Sequence, residues 1–233
     1  LLGLFLCNDR FNDNSWPSFQ AIFSTERLKN MLSINLDIFF RSIMMQAISV
    51  SFLLYGGKFG DVKLAANQIL LQFLHVAAHG LDGFAFAAET LVGQAFGRKD
   101  RTILRKSVKV TSKLAFLLCC TMAIIFFFIG SSLIDVMTTA EDVRSEAKGY
   151  IIFIVLVPIL GASAYMLDGI FVGAMKTKDM RNMMFISLIF YVLALILLVP
   201  HFENSGLWLA LLFSFVVRGV TLALRYPSLE KSI

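Results

Sequence analysis

Six apolar stretches recur along this chain, and each is long enough to cross a lipid bilayer. They cover residues 36–56, 62–96, 111–134, 149–175, 182–200 and 205–224. The hydrocarbon core of a bilayer is about 30 Å thick, and a helix needs about 20 apolar residues to cross it. A soluble core could not hide so many runs of this length. The sequence therefore predicts an all-α membrane protein, a bundle of six transmembrane helices.

The composition agrees with this fold class. Hydrophobic residues make up 58% of the chain and charged residues 16%, against about 45–50% and about 25% in soluble domains. The net charge of +5 does not indicate a nucleic-acid partner, because the basic residues lie in short loops between the apolar stretches. In such loops, Lys and Arg report the orientation of a membrane protein.

The basic residues alternate strictly between the two sides of the predicted bundle. Sixteen Lys and Arg residues lie before or near the start of the first stretch, between the second and third or at the start of the third, after the fourth and after the sixth. Four lie in or next to the other connections. The richer side is expected to face the cytoplasm. The pattern therefore predicts a protein of the plasma (inner) membrane with both chain ends in the cytoplasm and residues 135–148 outside.

The first 35 residues differ from the rest of the chain. Residues 1–6 are apolar and are interpreted as the end of a preceding helix, which makes the chain a fragment. Residues 8–33 are polar and mixed and are interpreted as a linker that could carry a short surface helix. Two regions are expected: residues 1–35 as helix end and inter-lobe loop, and residues 36–233 as the six-helix lobe.

Three carboxylates lie deep in the apolar stretches. Asp82 and Glu89 are seven residues apart in the second, and Asp168 is in the fourth. The same spacing leads back to His75 and Gln68, so these residues of the second stretch share one helix face. From Gln68 to Glu89 this face extends about 31 Å, close to the hydrocarbon thickness. A face of this kind must line a water-filled cavity or contact other helices.

Two interpretations of these polar residues are compatible with the sequence. Ionisable residues inside a membrane are functional candidates, here a proton or cation path or a site for cationic substrates. The alternative is a network of hydrogen bonds that only holds the helices together. His75 and His79 are four residues apart, but no further ligand cluster accompanies them, so no metal site is predicted. A proton relay through His75 and His79 is favoured over a metal site, since histidine titrates near neutrality.

Other residues of the stretches are assigned structural roles. Arg41 and Arg218 are expected near span ends, with their guanidinium groups extended to the membrane interface. The GxxxG segments 93–97 and 169–173 are typical of close helix packing. Gly80, Gly83 and Pro158 are candidate bend points.

Several motifs resemble one family of membrane proteins. Residues 81–85 (LDGFA), continuing through Ala88 and Glu89 to residues 92–97 (VGQAFG), resemble the eighth-helix motif of MATE transporters and are closest to the DinF branch. Residues 65–68 (AANQ) are similar to the start of that helix. Residues 165–171 (YMLDGIF) and 178–182 (KDMRN) resemble the tenth helix and its following loop, and residues 207–210 (LWLA) the start of the twelfth. The resemblance covers residues 36–225.

The resemblance implies a fold and an activity. MATE proteins have two six-helix lobes around a central cavity, and they export organic cations and other toxic compounds in exchange for H⁺ or Na⁺. This chain would be the C-terminal lobe, and its partners would be organic cations, membrane lipid and the missing N-terminal lobe. No enzymatic activity and no cofactor are implied. The coupling ion is expected to be H⁺, with Na⁺ as the alternative.

The resemblance also suggests site residues. Asp168 falls where NorM-type members carry a cation-site aspartate, but Gln46 lies near the place of their acid on the seventh helix. This replacement favours proton coupling, with Asp82 and Glu89 as the DinF-like pair. Together with His75, Asn67 and Gln68, these residues form the predicted site for cation coupling or substrate binding.

Three other functions fit the sequence less well. A lipid-linked oligosaccharide flippase of the same superfamily would need a cavity rich in Arg and Lys, whereas the mid-span residues here are acidic. A membrane-embedded enzyme is disfavoured, because three histidines are too few for a His-box oxygenase and no GxSG serine motif is present for a protease. A non-transporting membrane scaffold stays open, but the acidic face would then have only a structural role.

Overall fold

The computed structural model describes residues 25–233, and residues 37–233 form one compact unit. The interpretations of residues 1–24, as a helix end and most of a linker, lie outside the described residues. The described elements are all helices: α1 (Thr25–Gly57), α2 (Asp61–Arg98), α3 (Arg101–Met137), α4 (Glu141–Gly149), α5 (Ile151–Gly173) and α6 (Thr177–Lys231).

The predicted all-α membrane fold is confirmed. All of these helices except the short α4 are long and apolar enough to cross a membrane. Helix α6 has 55 residues, about 80 Å at 1.5 Å per residue, too long for one crossing. Its helical conformation breaks at Glu203, where φ is 46° and ψ is −124°. The break divides α6 into two spans and accounts for the six that the sequence predicts.

The two segments of α6 fold back on each other as a hairpin. The Ser187 hydroxyl donates a hydrogen bond to the Ser214 carbonyl oxygen at 2.7 Å, although a straight helix would separate these residues by about 40 Å. Next to the break, a Cβ on Gly206 would lie 2.5 Å from the carbonyl oxygen of Leu198. A glycine is therefore needed there for the two segments to approach.

The structure differs from the sequence-based expectation in three places. Residues 25–33, expected in a linker, belong to α1. The predicted outer loop contains the short helix α4, which buries Val143 and Ala147. Residues 201–204, expected between two spans, are helical except at Glu203, and helices α2 and α5 continue through Gly80, Gly83 and Pro158.

Helices α2 and α5 pack in close backbone contact, as the GxxxG pattern predicts for residues 169–173. A Cβ on Gly169 would collide with the backbone of Ala85, and a Cβ on Gly173 would collide with the backbone of Glu89. Gly97 of the other GxxxG segment has no such neighbour within 4 Å. Because Glu89 and Asp168 are at or beside this contact, the glycines bring the acidic faces of the two helices together.

The two ends of the bundle differ in charge, as the alternation of basic residues predicts. At one end, Arg105 forms an ion pair with Glu230, and Arg101 donates a hydrogen bond to the Lys231 carbonyl oxygen at 3.2 Å. The basic α2–α3 connection and the end of α6 therefore lie together. At the other end, Lys63 pairs with Glu203 at 2.9 Å.

Candidate functional site

A cavity of about 580 Å³ opens between α1, α2, α5 and α6, and neither α3 nor α4 contributes to its wall. Methionine, phenylalanine and aliphatic side chains form much of the lining. Ionisable and amide side chains interrupt this apolar wall: Arg41, Gln46, His75, Asp82, Glu89, Asp168 and Arg218.

The structure places most of the predicted site residues in this one cavity. Gln46 comes from α1, Asp82 and Glu89 with His75 from α2, and Asp168 from α5. The spacing of seven residues on α2 therefore does direct three polar side chains into one space. The predicted residues Asn67 and Gln68 do not line the cavity.

Asp168 is the buried centre of an ion-pair triad with Arg41 and Arg218. Its side chain is 8% exposed, Arg41 forms an ion pair with its Oδ2 atom, and Nη2 of Arg218 lies 3.8 Å from the same oxygen. One carboxylate thus faces two guanidinium groups from two other helices. The two arginines compensate the negative charge of Asp168 within the bundle, while its Oδ1 atom has no hydrogen-bond partner among the described residues.

The expectation that Arg41 and Arg218 extend to the membrane interface is wrong. The Arg218 side chain is 3% exposed and the Arg41 side chain 18%. Both guanidinium groups point into the bundle, where they lie beside Asp168. The free energy of pairing with a buried carboxylate replaces the hydration that an interfacial position would provide.

Aromatic rings hold the Arg218 guanidinium in place. Its Cζ atom lies 5.3 Å from the ring centre of Tyr165 and 5.6 Å from that of Phe215. Nη1 of Arg218 lies 3.8 Å from the sulfur of Met184. Cation–π contacts of this kind favour a desolvated guanidinium by up to about 2 kcal/mol. They stabilise a charge that has only one carboxylate partner, and that partner is shared.

Asp82 and Glu89 differ from Asp168 in their surroundings. Both are half-buried on the cavity wall, and among residues 25–233 neither forms an ion pair. The cavity therefore holds three carboxylates and two guanidinium groups, and the guanidinium groups both bind the same carboxylate. Two acidic side chains are left facing the open space, where they can accept a proton or contact a cation.

Asn67 belongs to a buried polar cluster outside the cavity. Its side-chain amide donates to Asn204 at 2.7 Å and accepts from Asn204 at 3.1 Å and from the Trp208 indole N–H at 2.9 Å. Asn67, Asn204 and Trp208 are all fully buried. This cluster ties α2 to the second segment of α6, so Asn67 positions the cavity wall. Gln68 is exposed.

A second ion pair joins α1 to the start of α6. Asp37 is 3% exposed; it accepts hydrogen bonds from Arg181 at 2.5 Å and from the Thr177 hydroxyl at 3.0 Å. Arg181, expected in a loop, thus pairs with a buried carboxylate, and the motifs of the sequence do not point to Asp37. The position of Asp37 inside the first apolar stretch could have indicated this pair, because a buried carboxylate needs a positively charged partner. The apolar stretches contain very few such partners.

Comparison with known proteins finds one family model and one relative that match most of this chain. The MatE family model matches residues 38–198. DNA damage-inducible protein F of Escherichia coli strain K12 is 31% identical over 195 residues, which is 84% of this chain and 42% of that protein.

Solved structures share the fold. The bent form of the Vibrio cholerae MATE transporter VcmN superposes with a TM-score of 0.86 at 15% identity, over 99% of this chain and 53% of that one. A MOP superfamily transporter from Pyrococcus furiosus superposes with a TM-score of 0.73 at 14% identity, over 85% of this chain and 44% of that one. For that transporter, the reversed polarity of the binding pocket suggests a different function. The chain spans about half the length of these relatives.

Proposed function

The chain belongs to the MatE family, and we propose that the full-length protein is a secondary active antiporter. It exports cationic, amphipathic drugs or toxic metabolites across the cytoplasmic membrane in exchange for H⁺. One observation carries this proposal: Asp82 and Glu89 line the cavity without an ion-pair partner in the described part of the chain, whereas Asp168 is bound by two arginines.

The two free carboxylates supply both halves of an exchange. In a low-dielectric cavity a carboxylate attracts a cation far more strongly than in water, so an ionised Asp82 or Glu89 binds a cationic substrate. A proton that binds the same group removes the charge and releases the substrate. Proton and substrate therefore compete for the same oxygen atoms, which is the condition for antiport.

The apolar part of the wall suits the rest of an amphipathic substrate. Phe52, Phe86 and Phe215 line the cavity together with Met45 and Met184. Methionine side chains repack easily around ligands of different shape. Broad specificity for apolar bodies that carry a positive charge follows from this lining.

Asp168 has a different role in the proposal. Because Arg41 and Arg218 compensate its charge, it joins α1, α5 and α6 at the cavity and positions the wall. His75, seven residues before Asp82 on the same helix face, provides a route for protons along α2. Gln46 offers a neutral amide on the facing wall of α1.

The proposal includes a membrane orientation and a partner. The basic end of the bundle faces the cytoplasm of the plasma membrane, and both ends of the chain lie there. A second six-helix lobe of the same protein completes the cavity, and alternating access arises when the two lobes open to one side and then to the other. Membrane lipid surrounds the bundle.

Dye efflux tests this proposal. Drug-sensitive cells express the full-length protein and are energised in turn by a proton gradient and by a Na⁺ gradient. We expect efflux that collapses with the proton gradient and is lost in Asp82→Asn and Glu89→Gln. The matched control is Glu141→Gln, which neutralises an exposed acid outside the cavity and should transport normally. Efflux supported only by Na⁺, or unchanged in both cavity variants, would contradict proton coupling through these residues.

A lipid-linked oligosaccharide flippase is the second candidate, and one observation favours it. Arg41 and Arg218 both line the cavity, and guanidinium groups bind phosphate well. The Pyrococcus furiosus relative carries a pocket of reversed polarity. Asp168 compensates one of the two positive charges here. The absence of efflux of any cationic dye under either gradient, with loss of pyrophosphate-lipid translocation in Arg218→Met, would favour the flippase.

A further inference from the structure

We infer that the outer face of α3 binds the headgroup of an anionic phospholipid through Lys106, Lys109 and Lys113. The inference concerns the surface of the bundle and is independent of what passes through the cavity. Three observations support it: this face of α3 is exposed, its lysines lie near the depth of the lipid headgroups, and their charges have no partner among residues 25–233.

The three lysines lie on one face of α3, turned away from the bundle. Their spacing of three and four residues places them one above another along the helix. All three side chains are exposed, while Leu104, Thr111 and Ala115 on the opposite face of α3 are buried. No residue of α3 lines the cavity, so this face is also remote from the transport site.

The depth of the lysines matches the headgroup layer. Residues 114–134 contain no Asp, Glu, Lys or Arg and extend about 31 Å, the thickness of the hydrocarbon core. Lys113 is therefore at the boundary of the hydrocarbon. Lys109 lies about 6 Å further out along the helix, within the headgroup region of one leaflet, which is about 5–8 Å thick. Lys106 lies about 10 Å further out, just beyond this region, and its long side chain can extend back toward it.

The apolar part of the same face is suited to acyl chains. Val110 is 48% exposed and Leu117 is 63% exposed, and both share the helix face of the lysines. A phospholipid seated here places its chains along Leu117 and its phosphate among the ammonium groups.

Within residues 25–233, no negative group compensates the charges of these lysines. On the same helix, Arg105 is paired with Glu230, and Arg101 binds the Lys231 carbonyl oxygen. Lys106, Lys109 and Lys113 form no ion pair and no side-chain hydrogen bond with any residue of the described range 25–233. Three positive charges with no partner among residues 25–233, held near headgroup depth, favour a lipid that carries a negative charge, because basic residues at the membrane surface attract anionic lipids.

Native mass spectrometry of the full-length protein in a nonionic detergent tests the site. The protein is titrated with phosphatidylglycerol or with phosphatidylcholine of the same chain length. We expect the wild type to bind phosphatidylglycerol more tightly than phosphatidylcholine. The triple variant Lys106→Gln, Lys109→Gln and Lys113→Gln should lose the preference for phosphatidylglycerol and bind it no more tightly than phosphatidylcholine, while the matched triple Lys→Arg variant keeps the preference.

Three results would overturn the inference. The first is wild-type affinity for phosphatidylglycerol in the triple Gln variant, with its fold verified by an unchanged melting temperature. The second is equal binding of phosphatidylcholine and phosphatidylglycerol to the wild type. The third is full displacement of the lipid by millimolar glycerol phosphate, because a site for the free headgroup would not use the apolar part of this face.

Discussion

Oδ2 of Asp168 on α5 lies 3.8 Å from Nη2 of Arg218 on the second segment of α6, and both side chains are almost completely buried. Arg41 of α1 binds the same oxygen. Three helices that form the cavity wall are therefore joined at one carboxylate. Asp168 therefore differs from Asp82 and Glu89, which face the open space of the cavity without an ion-pair partner among the described residues.

Removal of the shared carboxylate should destabilise the bundle. In Asp168→Asn two buried guanidinium groups lose their counter-charge, and we expect a loss of about 3 kcal/mol, seen as a lower melting temperature of the purified full-length protein. The double variant Asp168→Leu with Arg218→Met leaves only Arg41, the more exposed of the two arginines, without its counter-charge and should recover part of that loss. A double variant no more stable than Asp168→Asn would show that the pair is not coupled.

The glycines between α2 and α5 should be intolerant of a methyl group. Gly169→Ala and Gly173→Ala each place a Cβ against the backbone of α2, and such overpacking costs about 1–3 kcal/mol. We expect lower melting temperatures and reduced efflux for both. The matched controls are Gly83→Ala and Gly97→Ala, since a Cβ at these helical positions has no neighbour within 4 Å. Equal effects at all four positions would contradict the close contact.

How much of this arrangement the sequence predicts depends on the distance between the partners. The spans and the shared helix face of Asp82 and Glu89 follow from local periodicity. The alternation of basic residues indicates which loops lie on the same side of the membrane. The burial of Arg218 could not be predicted, because it depends on which helices are neighbours. The same holds for Asn67, whose partner Asn204 is 137 residues away.

The buried amide cluster should contribute to stability and not to ion coupling. Asn67→Leu leaves the Trp208 N–H and the Asn204 amide without their partner, and an unsatisfied buried polar group costs about 1–3 kcal/mol. We expect a lower melting temperature, with the efflux that remains keeping its dependence on the proton gradient. Trp208→Phe removes one donor and leaves the Asn67–Asn204 pair, so its effect should be smaller. A changed coupling ion in Asn67→Leu would place this residue in the transport path after all.

The break in α6 should prefer a glycine. Glu203 has a positive φ of 46°, which costs a non-glycine residue about 1–3 kcal/mol, whereas its exposed ion pair with Lys63 contributes at most about 1 kcal/mol. We therefore expect the melting temperatures to fall in the order Glu203→Gly, Glu203→Gln, Glu203→Val, because a β-branched residue tolerates this conformation least. If Glu203→Val is as stable as Glu203→Gly, the backbone at this position is not strained.

The most direct test of the central claim is proton release on substrate binding. The purified full-length protein, in weakly buffered detergent solution with a pH-indicator dye, is mixed with a cationic substrate above its dissociation constant. We expect that binding of the substrate expels protons from the wild type, and that the double variant Asp82→Asn with Glu89→Gln releases none. Glu141→Gln should release as many as the wild type. Proton release that persists undiminished in the double variant, or binding without any release, would contradict an exchange through Asp82 and Glu89.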